Sequence, residues 1–150
     1  MKSLFNTEAH KEIVSRIDQL SESSKRQWGK MEVGQMLHHC QYPLKISLGR
    51  HNPNNKPNFI LKVMGKFFKK SLYNDKLWRK GLPTAKGLKV VDDKNFDEEK
   101  KVLVGLINDF HKEKGKKEWD PHPVFGTFTP KQWGQMQYKH LDHHLRQFGV

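Results

Sequence analysis

The chain has 150 residues, the length of about one domain, and residues 1–150 are read as a single unit. Its one cysteine, Cys40, excludes an intramolecular disulfide and any Cys-x-x-Cys site. A mean hydropathy of −0.87 leaves no membrane span, and the polar run Lys2–Asn6 is too short for a signal peptide, so a cytoplasmic protein is expected.

The net charge is +12, and it is not evenly spread. Residues 45–90 carry 12 Lys/Arg against one acid, Asp75, for a local net of +11. A field this local attracts anions: a nucleic acid, an anionic surface or an acidic substrate.

In chain order, a first helix is expected from Thr7 to about Leu20, with Thr7 as its cap and Ile13, Ile17 and Leu20 at helical spacing. A second spans Met31 to Leu48, its apolar face built from Val33, Met36, Leu37, Cys40, Leu44 and Leu48. Pro43 lies inside it, where the ring and missing N–H predict a kink at His39. Residues 50–57 read as a loop. From Phe59 to Leu72, apolar positions alternate with Lys62, Lys66, Lys69 and Lys70, which predicts a basic amphipathic helix. Its Phe/Ile face is expected to pack on the rest of the fold. Residues 73–94 read as irregular, apart from a strand candidate at Leu88-Lys89-Val90-Val91.

The next helix starts near Phe96, with Asp97, Glu98 and Glu99 in the first turn favouring the helix dipole, and ends within Lys112–Lys117. Residues Trp119 to Phe128 read as irregular. The last helix has the clearest start: Thr129 as cap, Pro130 at the first helical position and Gln132 completing a capping box, with an end near Phe148. These elements predict an all-α chain: a four-helix bundle with the basic amphipathic helix inserted in the middle of the sequence.

Nine histidines fall mainly into two clusters, His38-His39 and His140-Leu141-Asp142-His143-His144. On a helix, residues four apart lie about 6 Å apart along the axis and about 40° apart around it. His140 and His144 therefore project from one face and can reach one metal ion. A third ligand from the second helix would leave the open coordination position of a catalytic site. His38 and His39 point about 100° apart, and both faces mix polar and apolar residues, so helical phase does not choose between them.

Other residues carry a bland and a sharper reading. Gln35 and Asp142 are candidate acceptors for orienting a ligating imidazole, with Asp142 better read as facing away. His122, in a His-Pro-x-Phe-Gly loop, reads as structural. Cys40 reads as a small buried hydrophobe, and Trp28, Trp119 and Trp133 as core.

Two stretches resemble a known family. Met31–Cys40 reads Met-x-x-x-Gln-Met-Leu-x-His-Cys. The C-terminal part carries His122-Pro-x-Phe-Gly, Trp133 and Lys139-His-Leu-Asp-His-His-Leu-Arg-Gln-Phe-Gly. Together these resemble the DinB/YfiT-like metalloenzymes, in an uncharacterised branch, over roughly residues 28–50 and 119–149. The resemblance implies an up-down-down-up four-helix bundle and a metal held by His39, His140 and His144. Family members with known activity conjugate or isomerise small molecules with low-molecular-weight thiols, so the resemblance implies a small-molecule substrate and a thiol partner; a metal that activates water as well as a thiol adds hydrolysis of a small electrophile, and lysines at the mouth of the site would steer an acidic substrate.

Three imidazoles suit a divalent metal, Zn, Ni or Mn. The sequence shows no DNA-binding motif, so specific nucleic-acid recognition is not expected; a homodimer is compatible with it. The alternative class is a non-catalytic binding module that uses residues 45–90 for an anionic partner or surface.

Overall fold

The computed structural model describes residues 1–51, 63, 65, 67–82 and 88–150. Four α-helices organise it: α1 (Thr7–Asp18), α2 (Val33–Ser47), α3 (Phe96–Lys112) and α4 (Pro130–Gln147). No strand occurs among the described residues, and the one β-bridge joins His122 to Gly126. The strand candidate at residues 88–91 is therefore overturned, and that segment serves the site through its backbone instead.

The helix ends follow local chemistry. Asn6, not Thr7, caps α1: its side-chain oxygen accepts from the Glu8 and Ala9 amides at 3.1 and 3.3 Å. Asn ranks with the best N-cap residues, and its amide oxygen reaches the second and third open amides of the helix from one residue earlier than Thr7. In α2 a capping box joins Glu32 and Gln35, and Gln35 Nε2 also donates to the Asp92 carbonyl. Gln35 is thus occupied at the helix start rather than bonded to His39. The helix runs unbroken through Pro43, whose carbonyl accepts from Gln137 Nε2 at 2.8 Å. Asn95 caps α3, and α4 opens with the expected Thr129/Gln132 box and Pro130.

Helix α2 packs most extensively on α3 and also on α4, while α1 packs on the same two. Ile13, Ile17, Leu37, Leu44, Ile107, Phe110, Trp133 and Leu141 fill the space between them, each at most 1% exposed. At about 25 cal/mol per Å² of apolar surface, each such side chain contributes about 1.5–3 kcal/mol. Gly34 lets the segment before α3 lie directly on α2, because a Cβ there would meet the Lys94 carbonyl oxygen at 2.4 Å.

Polar contacts tie α1 to α4. Arg16 pairs with Asp142 at 2.9 Å and donates to the Val150 carbonyl, and Tyr138 Oη donates to Glu12. Asp142 does face away from the histidines, but it is bonded to Arg16 and Arg146 rather than solvated. No helix among the described residues is long and apolar enough to cross a membrane.

Much of the expected basic helix, including Ile60, Lys62 and Lys66, lies outside the described residues. Val63, Gly65, Phe67 and Phe68 are helical, and Lys69–Leu72 form a 3-10 turn. Burial of the apolar face against the bundle is not what this stretch shows: Phe67 is 82% exposed and Phe68 59%. Only one side of a short helical end can face the bundle, and the anchor here is polar. The Lys139 ammonium, on α4, donates to the Ser71 carbonyl at 2.7 Å and to both Asn74 oxygens.

Candidate metal centre

His39 sits in the middle of α2, and His140 and His144 lie one turn apart on α4. The packing of α2 on α4 brings the three rings into a near-equilateral triangle. Their centroids are 5.1 Å apart for His39–His140, 4.8 Å for His39–His144 and 4.8 Å for His140–His144. One nitrogen from each lies within 4.8 Å of the other two, close enough for the set to hold a metal ion. All three are buried, at 5–9% exposure.

Hydrogen bonds decide which nitrogens face inward. The Leu88 carbonyl can only accept, and it lies 3.0 Å from His39 Nδ1. Nδ1 therefore carries the proton, and Nε2 keeps its lone pair. The same logic runs through Gln147. Its Nε2 donates to the Trp28 carbonyl at 2.8 Å, which fixes the amide so that Oε1 faces His144 Nδ1 at 2.8 Å. His144 Nδ1 must then be the donor, and its Nε2 is likewise a free lone pair. His140 Nε2 stands 3.2 Å from His39 Nε2. One proton on His140 or one cation between them is needed to make that contact attractive.

Burial reinforces the neutral forms. Loss of hydration is the largest cause of depressed basicity at each ring. His144 is pushed down to about 3, His140 well below the usual imidazole range, and His39 downward, with neighbouring imidazoles adding to the effect. Neutral imidazole is the form that ligates a metal. With metal–nitrogen distances of about 2.0–2.1 Å, tetrahedral ligand atoms stand about 3.3 Å apart. The His39–His140 pair is already at that spacing, and the His144 nitrogen lies within 4.8 Å of both. The donor set therefore fits a divalent ion.

The neighbours of the triangle come from distant parts of the sequence. Trp78 packs edge-on to His140 and His143, at 6.0 and 5.5 Å between ring centroids. It is held there by its own Nε1–H bond to the Ser71 carbonyl and by Lys139 clamping the same turn. A cleft of about 540 Å³ opens beside His144, walled by Trp28, Leu82, Lys89, Val90 and His143. Trp28 is half-buried and forms part of this wall, which corrects its assignment to the core; Trp119 and Trp133 do lie in the core. Gly29 is required at the cleft floor: its φ is +80°, and a Cβ would meet Gln147 Nε2 at 2.5 Å.

The remaining histidines stand elsewhere. His38 bonds Glu99 at 2.9 Å on the α3 side of α2. His122 is structural: its Nδ1 accepts from the Val124 and Phe125 amides at 3.1 and 3.3 Å, and burial pushes it down to about 4. His143 is 6% exposed and offers no ligand atom to the triangle. Cys40 is buried, and the apolar surroundings push its thiol up, away from reactivity.

Sequence reasoning missed two groups that orient the ligands. Gln147 carried a usable signal, since it lies three residues after His144 on one helix. The Leu88 carbonyl carried none, because a backbone acceptor has no residue signature. Trp78 and the cleft wall at residues 88–91 were likewise invisible to helical periodicity.

No curated protein and no solved structure matches the chain. A family model does, over residues 2–149, and its description is a protein of unknown function. Its span takes in α2, α4 and every residue of the histidine triangle, and the chain belongs to this family, DUF1569.

Proposed function

We propose that His39, His140 and His144 bind one divalent metal ion, and that the protein is a metal-dependent enzyme acting on a small electrophilic substrate by hydrolysis or thiol transfer. The observation that carries this reading is the pair of fixed tautomers. Leu88 and Gln147 take the outer protons of His39 and His144, so two lone pairs converge where His140 Nε2 also points. A proton on His140 Nε2 can bridge to only one of those lone pairs, whereas a cation accepts from all three rings.

Zn²⁺, Ni²⁺ or Mn²⁺ held by three neutral ligands keeps its full charge and an open position, which supplies Lewis acidity and activates water or a thiol. The chain's own residues do the rest. Gln147 and the Leu88 carbonyl hold two rings in register. Trp78 covers His140 from solvent, and the cleft beside His144 admits substrate from one side.

The DinB/YfiT-like, up-down-down-up arrangement of a single domain over residues 1–150 belongs to the same proposal. Two features support it. Helices α1 and α2 are each flanked by the same two helices, and nearly 50 residues separate α2 from α3. Parallel neighbouring helices need such a long crossover. A cytoplasmic location suits the lone free thiol.

The test is metal content. Tag-free protein is stripped with chelator, reconstituted with each ion, desalted and analysed by mass spectrometry. One ion per chain is expected in wild type and none in His140→Ala/His144→Ala with an unchanged circular dichroism spectrum. Less than about a tenth of an equivalent in wild type for every ion would remove the reading.

One observation favours a second reading, a surface that docks on an anionic partner. Phe67 and Phe68 are exposed beside Lys69 and Lys70 in the most basic part of the chain. Co-sedimentation with anionic vesicles at physiological salt, lost in Phe67→Ser/Phe68→Ser, is its signature.

A further inference from the structure

We infer that the cleft beside His144 binds a small organic anion: a carboxylate or phosphate headgroup held by lysines, on a flat apolar body seated against Trp28. The inference rests on the metal-centre reading for where its reacting group lies, and on the cleft alone for its ligand class.

The volume comes first. About 540 Å³ is within the range of small-molecule sites and far too small for a folded partner. The chemistry of the walls is one-sided. Lys30 and Lys89 both line the cleft, and no Asp or Glu does among the described residues. A third cation stands at the same rim, the Lys80 ammonium 4.8 Å from the centroid of the Trp28 ring. A concave surface with one sign of charge and low-dielectric walls focuses its field on whatever enters. The apolar walls are Trp28, Leu82, Val90 and Val91, with Leu82 48% and Val91 80% exposed although hydrophobic. Large apolar side chains left open around a cleft signal a ligand that covers them.

The second observation is His143. It is 94% buried, it lines the cleft, and its Nδ1 has no hydrogen-bond partner among the described residues. Buried polar atoms are nearly always satisfied, so an orphan nitrogen on a side chain that lines a cleft points to a polar group that a bound ligand satisfies with a small turn of the ring. Trp28 and Trp78 flank its ring at 5.9 and 5.5 Å and hold it in place. Its neighbour in sequence, His144, belongs to the histidine triangle and lines the same cleft. A ligand anchored by Lys30 and Lys89 and stacked on Trp28 therefore extends toward the metal site along one continuous surface.

The experiment uses three probes with the same planar body and different headgroups: benzoate, phenyl phosphate and benzyl alcohol. Each is titrated into metal-free full-length protein at low salt, following the Trp28 indole N–H and the Gly29 amide by ¹H–¹⁵N correlation. Both anions are expected to shift these signals with a Kd at least tenfold below that of benzyl alcohol. In Lys30→Gln/Lys89→Gln the preference is expected to fall below threefold, with the spectrum otherwise unchanged and metal stoichiometry intact. The benzoate and phenyl phosphate arms separate carboxylate from phosphate selectivity. Equal affinity for the neutral probe, shifts confined to residues outside the cleft, or full anion preference in the double variant would each overturn the inference. Loss of anion binding with metal still bound sinks this inference alone. Anion binding by a protein that takes up no metal sinks the metal reading alone.

Discussion

Gln147 does two jobs with one amide: it donates to the Trp28 carbonyl and accepts from His144 Nδ1. In Gln147→Leu the acceptor disappears while all three ligands remain. Metal affinity, measured by competition with a chelating dye, is expected to fall about 10–100-fold with stoichiometry unchanged. Gln147→Glu restores an acceptor and is expected to recover most of the loss. At His122 the prediction concerns pH. Burial holds its imidazole at about 4 in the folded chain, against 6.5 when exposed. Between those values the unfolded chain binds a proton that the folded chain does not, so stability falls as pH drops from about 6.5 to about 4. Asn at this position can keep an acceptor for the Val124 and Phe125 amides without titrating. Urea unfolding of His122→Asn across this window should give a shallower slope than wild type. Of the two adjacent candidates on α2, phase left His38 and His39 equal. Glu99 on α3 and Leu88 from the long crossover separate them, and neither partner is near in sequence.

At the scale of elements, α2 and α4 matter most because they carry the triangle. Gly34 is the tightest point of α2, with the Lys94 backbone directly against it. Gly34→Ala gains helix propensity but forces two backbones apart, and a net loss of about 1–3 kcal/mol is expected in denaturant titration. A stabilised variant would show that the 88–95 segment yields easily. The start of α4 is set by Thr129, whose hydroxyl accepts from the Gln132 amide at 3.2 Å. Thr129→Ala should cost about 1 kcal/mol by the same measurement and leave metal stoichiometry unchanged, since His140 lies three turns further along the helix. The starts of α3 and α4 and the faces of all four helices were legible from caps and periodicity. The 69–78 turn was not, because its position depends on a buried lysine of α4 reaching two backbone carbonyls.

For the whole molecule, ligand binding couples to stability. The triangle joins α2 to α4, two elements about a hundred residues apart in sequence, so an ion held there as proposed would bind only the folded chain. At free metal 100 times Kd the gain is about 2.7 kcal/mol. For a chain of this size that raises Tm by roughly 5–11 °C. Differential scanning calorimetry should show this rise in wild type and none in His140→Ala. Within the +11 segment of residues 45–90, Lys89 lines the cleft and Lys80 stands over the Trp28 ring of its wall.

By itself the sequence determined the helical class, the His140/His144 pair, the buried character of Cys40 and the structural use of His122. These follow from local rules: a 3.6-residue period, caps and turn chemistry act over a few residues and are written in them. Only the tertiary structure decided the rest. It placed His39, which the family resemblance named but helical phase did not choose, beside the pair, sent His38 to Glu99 and turned Trp28 from core into cleft wall. It also left Phe67 exposed, where amphipathic spacing implied a buried face. Each of those outcomes rests on contacts between residues far apart in the chain, through backbone carbonyls and buried amides that any residue or a common one supplies. Periodicity reports which face of a helix is apolar; it carries no information about what that face meets.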